Sequence, residues 1–260
     1  MDSLRSQTAL RVSFRRSNGT AALETETDGE TDQQASYGGD NYQESSGANQ
    51  ELDQEQEWEE GQRQQEELLQ RYPLWESPPH ARLLDQILET LWPLSSRPEV
   101  AYEFLALDTE TPFASSCCHG AVYFSRGLLL SLSQEGVLFW AAHEMAHTEL
   151  RHYASRQQRL VELRRAIPAA PHGAARQRME LAAVLAVRHQ EEFEADHLAA
   201  QWLDPRSGQK ALEELHQVCL RSSPESLSRP THPPFERRVE RVRERLGPPD
   251  PVDYLWSLLS

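Results

Sequence analysis

The densest chemistry in this 260-residue chain is His143-Glu144-Met145-Ala146-His147, a His-Glu-x-x-His run. It lies within an apolar stretch, Val137-Leu138-Phe139-Trp140-Ala141-Ala142, whose pattern predicts a helix. At about 100° per residue, positions four apart return to one helix face. His143 and His147 therefore present two imidazole nitrogens to a single cation. Glu144, beside the first of them, is placed to take a proton from a water held by that cation, which is the chemistry of metal-assisted hydrolysis. Five residues can match such a pattern by chance on a surface helix. Here the flanks are apolar, and burying two histidines and a glutamate with no metal or partner costs too much.

A second cluster follows in Glu191-Glu192-Phe193-Glu194-Ala195-Asp196-His197. In isolation it reads as a solvated charge run. Beside the first cluster it reads as a metal-site helix, because catalytic zinc takes three protein ligands and keeps one position open. A glutamate from this helix would complete a two-His, one-Glu set. Glu191 lies about 100° and Glu194 about 200° around the helix from Glu192, so only one of the three faces the histidines squarely. Glu192 and Asp196 share a face with the small Ala195 and Ala199, which allows close helix approach. On that phase Glu192 is the ligand. Asp196 accepts a hydrogen bond from the far nitrogen of a ligand histidine, and Glu194 turns toward solvent. His189, three residues before Glu192, is the only rival for a ligand position. His152 falls about 180° from His143 on a continuous helix and reads as a packing residue. His119, His172 and His197 read as surface or helix-end residues.

Three segments in order, His143 to His152 (HEMAHTELRH), Glu192 to Asp196 (EFEAD) and Thr231-His232-Pro233-Pro234 followed by Arg238, resemble the HtpX-like and CaaX-prenyl-protease-like (Ste24-type) zinc metallopeptidases. The resemblance covers roughly residues 80–245. It implies a gluzincin: one zinc per chain on His143, His147 and Glu192, with Glu144 as the base and Asp196 behind a ligand. It also implies that His232 approaches the site as a donor to the oxyanion, with Arg238 as a supporting residue. Two features depart from the family's pattern. Its members are typically membrane-embedded, and no apolar run here reaches the roughly 18–20 residues a bilayer demands. Where the family often has Asn-Ala-Phe, this chain has Thr111-Pro112-Phe113-Ala114.

The elements that must position these groups are mostly helical. Leu83, Leu84, Ile87, Leu88 and Leu91 form one stripe of a helix over 81–93. Alternation predicts a strand over Val100–Leu107 and another over Gly120–Ser125, with a polar loop, Thr109–His119, between them. Beyond Ser133 the pattern predicts helices over about 134–166, 174–203, 208–221 and 234–246, with a break at Pro168–Gly173. Strands first and helices after indicate an α+β fold, a mostly helical zincin-like domain with a small sheet.

Charge divides the chain. Residues 1–70 carry 16 Asp/Glu against 5 Arg, and residues 71–260 carry 25 acids against 21 bases. From about Ser17 to Gly61 aliphatic residues are almost absent, so residues 1–65 read as a disordered acidic tail and 66–260 as the catalytic domain, with helical character beginning near Trp58 and firming up at Gln64–Arg71. A net charge of −15 argues against nucleic acid as the main ligand. Cys117, Cys118 and Cys219 offer no CxxC pair and no disulfide framework, which suits a reducing compartment and a cytoplasmic assignment. Residues 3–20 are Arg/Ser-rich without an acid, which keeps an organelle transit peptide open.

These features lead to a soluble zinc-dependent endopeptidase acting on peptide or unfolded-protein substrates, with no integral membrane segment. The substrate strand is expected to add to Ala121–Ser125 as an edge strand. The rival is a non-catalytic scaffold that uses the same helices to hold a structural zinc. Such a site usually has four protein ligands, and no cysteine lies near the motif to supply the fourth.

Overall fold

The computed structural model describes residues 13–17, 20–24, 53–166, 172–222 and 231–259. Most of the stretch expected to be a disordered acidic tail lies outside these residues. Within it, β1 (Ser13–Ser17) and β2 (Thr20–Glu24) pair antiparallel as a separate two-stranded sheet.

Helix α1 (Gln54–Arg71) corrects the reading of 54–65 as tail. Asp53 caps it: its carboxylate accepts from Gln56 N at 2.9 Å, while the Gln56 side chain accepts from Asp53 N at 3.1 Å. Glu57 is 3% exposed and pairs with Arg97 at 2.8 Å and Arg151 at 3.1 Å. Gly61 is buried so tightly that a Cβ there would meet the His119 ring at 2.4 Å. His119 is thus a buried residue under α1, not a surface one. Leu68, Leu69 and Tyr72 pack on Leu107, Cys117, Ala121 and Tyr123. The helical character expected from Trp58 to Arg71 is present, and composition hid only the start of the helix, where the buried contacts are those of the polar Glu57. Removing residues 1–52 is expected to leave the melting temperature nearly unchanged. Removing 1–72 takes the Glu57 carboxylate from Arg97 and Arg151 and uncovers that apolar cluster, at a cost of about 3–5 kcal/mol, or roughly 10 °C in thermal denaturation.

Helix α2 (Pro78–Leu91) starts on prolines at its first positions, and buries Leu84, Ile87, Leu88 and Leu91 of the expected stripe. Strands β3 (Glu103–Leu107), β4 (Ala114–Ser116) and β5 (Ala121–Ser125) form a sheet of order β3-β5-β4. β3 runs parallel to β5, and β4 antiparallel to it. Two expectations change here. The polar loop contains a strand, β4. Ala121–Ser125 is the central strand and not an edge, as its fully buried pattern requires.

Helices α3 (Arg126–Ser131), α4 (Gln134–Glu149), α5 (His152–Ala166), α6 (Ala174–Trp202), α7 (Pro205–Ser222), α8 (Phe235–Arg243) and α9 (Pro251–Leu259) follow. The fold is α+β and mostly helical. α4 is central: it packs on the sheet and on α6 and α7, and α8 closes over α6 and α7. The helix predicted over 134–166 is broken at Leu150-Arg151, where Arg151 takes a positive φ of 53°. That conformation costs a non-glycine residue on the order of 1 kcal/mol. The turn is held from afar. Arg97 donates to the Thr148 carbonyl at 2.8 Å, and Glu57 pairs with both Arg97 and Arg151. Among the described residues no helix is long and apolar enough to cross a membrane.

Candidate active site

Helix α4 begins at Ser133, whose hydroxyl accepts from Gly136 N, and it is buried on nearly all sides. That burial carries His143, Glu144 and His147 to the floor of a cleft of about 500 Å³. The Nε2 atoms of His143 and His147 face each other at 3.1 Å. From α6, Glu192 reaches across: one oxygen lies 3.5 Å from His143 Nε2 and the other 3.6 Å from His147 Nε2. The three side chains form one compact donor set.

Asp196, one turn on, places Oδ1 at 3.0 Å from His143 Nδ1. Arg238, on α8, donates to both Asp196 oxygens at 2.8 Å and lies 3.2 Å from Glu192. It is 2% exposed, and its guanidinium stacks 5.2 Å from the Trp140 ring centre. Two carboxylates, Asp196 and Glu192, thus flank one buried cation, which is the condition under which a buried charge is tolerated. Ser116 of β4 donates to Glu144 Oε2 at 2.9 Å. His232 is nearly half exposed, with its Nε2 3.8 Å from Glu192.

All seven residues singled out from the sequence, His143, Glu144, His147, Glu192, Asp196, His232 and Arg238, converge here. His189 does not: it is buried against Tyr254, whose hydroxyl lies 2.8 Å from its Nδ1. Glu191 is also turned away and binds Arg156 through both oxygens. Three residues escaped the sequence reading. Ser116 sat in what looked like a loop. His152 stands with Nδ1 only 2.8 Å from His147 Nδ1, because the helix breaks just before it. Glu194, expected at the solvent side, binds His152 at 2.9 Å and Arg159 at 2.7 Å.

The electrostatics of the cluster favour a cation. Burial presses the His143 imidazole down, yet Asp196 and Glu192 outweigh it and lift it to about 9. Burial, with His143 alongside, holds His147 well below its ordinary range. Positive charge is thus favoured on the His143 ring, whose Nε2 faces His147 Nε2. Burial opposes ionisation of Glu192, but His232 and Arg238 keep its carboxyl well below the usual range. Glu144 is raised by burial and by the nearby Glu192 charge.

The donor set also fits zinc by size. A tetrahedral ion with bonds of about 2.0–2.1 Å separates its ligand atoms by about 3.3 Å. The observed separations of 3.1, 3.5 and 3.6 Å bracket that edge.

Comparison with curated proteins gives no match. The family model for Peptidase family M48 matches residues 78–246. The match begins after α1, includes α2 through α8 and contains the whole cluster, over well more than half the chain. This chain belongs to Peptidase family M48, a family of metallopeptidases.

Proposed function

We propose that the chain is a zinc-dependent endopeptidase that holds one Zn²⁺ on His143, His147 and Glu192 and uses Glu144 as its general base. The observation that carries this reading is the spacing of the three donor atoms, with a buried carboxylate beside them that is not one of the three. Bound zinc supplies a Lewis acid that polarises the scissile carbonyl and makes water a better nucleophile. Glu144 takes the proton of the attacking water and delivers it to the leaving amine. Ser116 fixes one oxygen of that carboxylate, Oε2, leaving the other for the proton. His232, at the mouth of the cleft, donates to the oxyanion.

The peptide adds to β4, not to β5. Ser125 N donates to Phe113 O at 3.0 Å and Cys117 N to Ala121 O at 2.8 Å. The antiparallel alternation then directs the backbone groups of Ala114 and Ser116 to the other edge. A peptide paired there is held extended beside Glu144, which suits unfolded chains. A structural zinc on a scaffold protein would take a fourth protein ligand. Among the described residues only three donors assemble.

Zinc-loaded protein is expected to cleave unfolded casein, to stop when a chelator strips the metal, and to resume on adding zinc. Fragment analysis by electrophoresis reads the result. Absence of cleavage by fully loaded protein would overturn the reading.

A further inference from the structure

We propose that His152 and Glu194 form a hydrogen-bond relay that positions the His147 imidazole for the metal. The proposal rests on His147 being a zinc ligand and assigns the groups that orient it. A neutral imidazole carries one N–H. If Nε2 of His147 faces the metal with its lone pair, the proton sits on Nδ1. The atom 2.8 Å from that Nδ1 is Nδ1 of His152, and the rings meet edge to face at 74°. Two N–H groups cannot oppose each other at this distance, so His152 Nδ1 is the acceptor and its own proton lies on Nε2. Glu194 Oε2 stands 2.9 Å from that Nε2 and accepts it.

The pattern is self-consistent in a single tautomer from Glu194 to His147. Its far end is anchored, since Arg159 donates to the same Glu194 oxygen at 2.7 Å. His152 itself is only 1% exposed, so water does not compete for either nitrogen. The two histidines of the motif are therefore backed differently. Asp196 faces His143 directly, whereas the carboxylate behind His147 acts through an intervening ring. Such backing fixes the ring's rotation and tautomer and raises its donor strength, and its loss typically weakens metal binding by 10–100-fold.

Zinc dissociation constants measured by chelator competition test the relay, with thermal unfolding of the metal-free proteins as a control for folding. His152→Phe keeps an aromatic ring but removes the acceptor, and is expected to weaken zinc binding about 10–100-fold. His152→Asn returns an oxygen acceptor near the Nδ1 position and is expected to recover most of that loss. Glu194→Leu removes the anchor and is expected to weaken binding several-fold, so it decides the matter should His152→Phe fail to fold. Unchanged affinity in His152→Phe and Glu194→Leu, with normal binding by the wild type, overturns the relay alone. Equal weakening in the Phe and Asn variants also overturns it, since loss of packing would then be the cause. A wild-type protein that binds no zinc overturns the ligand assignment and the relay together.

Discussion

Glu144→Gln is expected to retain one zinc per chain while hydrolysing peptide about 10³-fold more slowly. General-base catalysis by a positioned side chain contributes typically 10²–10⁴-fold, and the amide removes the base without removing a ligand. The substitution is nearly isosteric, and a Gln oxygen still accepts from the Ser116 hydroxyl that now binds Glu144 at 2.9 Å. Stability is expected to rise slightly, because burial disfavours the ionised carboxylate at this position. Metal content by elemental analysis and initial rates on a fluorogenic peptide separate the two effects. Wild-type rates in a zinc-loaded Gln variant would show that another group takes the proton.

Substitutions on α6 are expected to split sharply between adjacent positions. Glu192→Ala removes one of three donors and is expected to leave the protein nearly free of zinc after dialysis, with hydrolysis abolished. It also takes from Arg238 a partner at 3.2 Å. His147→Ala is expected to behave in the same way. Glu191→Ala, one residue away, is expected to keep both metal and activity. Its cost is structural: a buried carboxylate that binds Arg156 through three hydrogen bonds is lost, and stability falls by about 1–3 kcal/mol. Because Arg156 is a quarter exposed, it reaches water when left alone, which limits the penalty. Zinc stoichiometry on the two variants decides the assignment. Zinc lost from Glu191→Ala and kept by Glu192→Ala would mean that α6 presents a face turned by about 100°.

The same logic separates what is local in this protein from what is not. Spacing within one helix is a local property. His143, Glu144 and His147 needed only the α-helical period to be placed together, and so did the choice of Glu192 with Asp196 over Glu191. The apolar stripe of α2 and the order of strands before helices followed from the same arithmetic. Arg238 and His232 were not reachable that way and were assigned by family resemblance. The structure brings them to the cluster from α8 and from the residues just before it.

What tertiary structure decided is wherever the energy comes from residues distant in sequence. Nothing in Thr148 to His152 marks a helix end, since no glycine or proline stands there. The break forms because Arg97 and Glu57, from two earlier segments, satisfy the Thr148 carbonyl and the Arg151 side chain. That break alone moves His152 from the far side of a continuous helix to contact with His147. The start of α1 reads as tail because burial of Glu57 is favourable only once two arginines from elsewhere surround it. Likewise, three residues in a polar stretch become the edge strand β4 only because β5 offers them a ladder. Periodicity therefore determined the chemistry carried on each helix. Long-range ion pairs and strand pairing determined which further side chains stand behind it, because those energies exist only after the chain has folded.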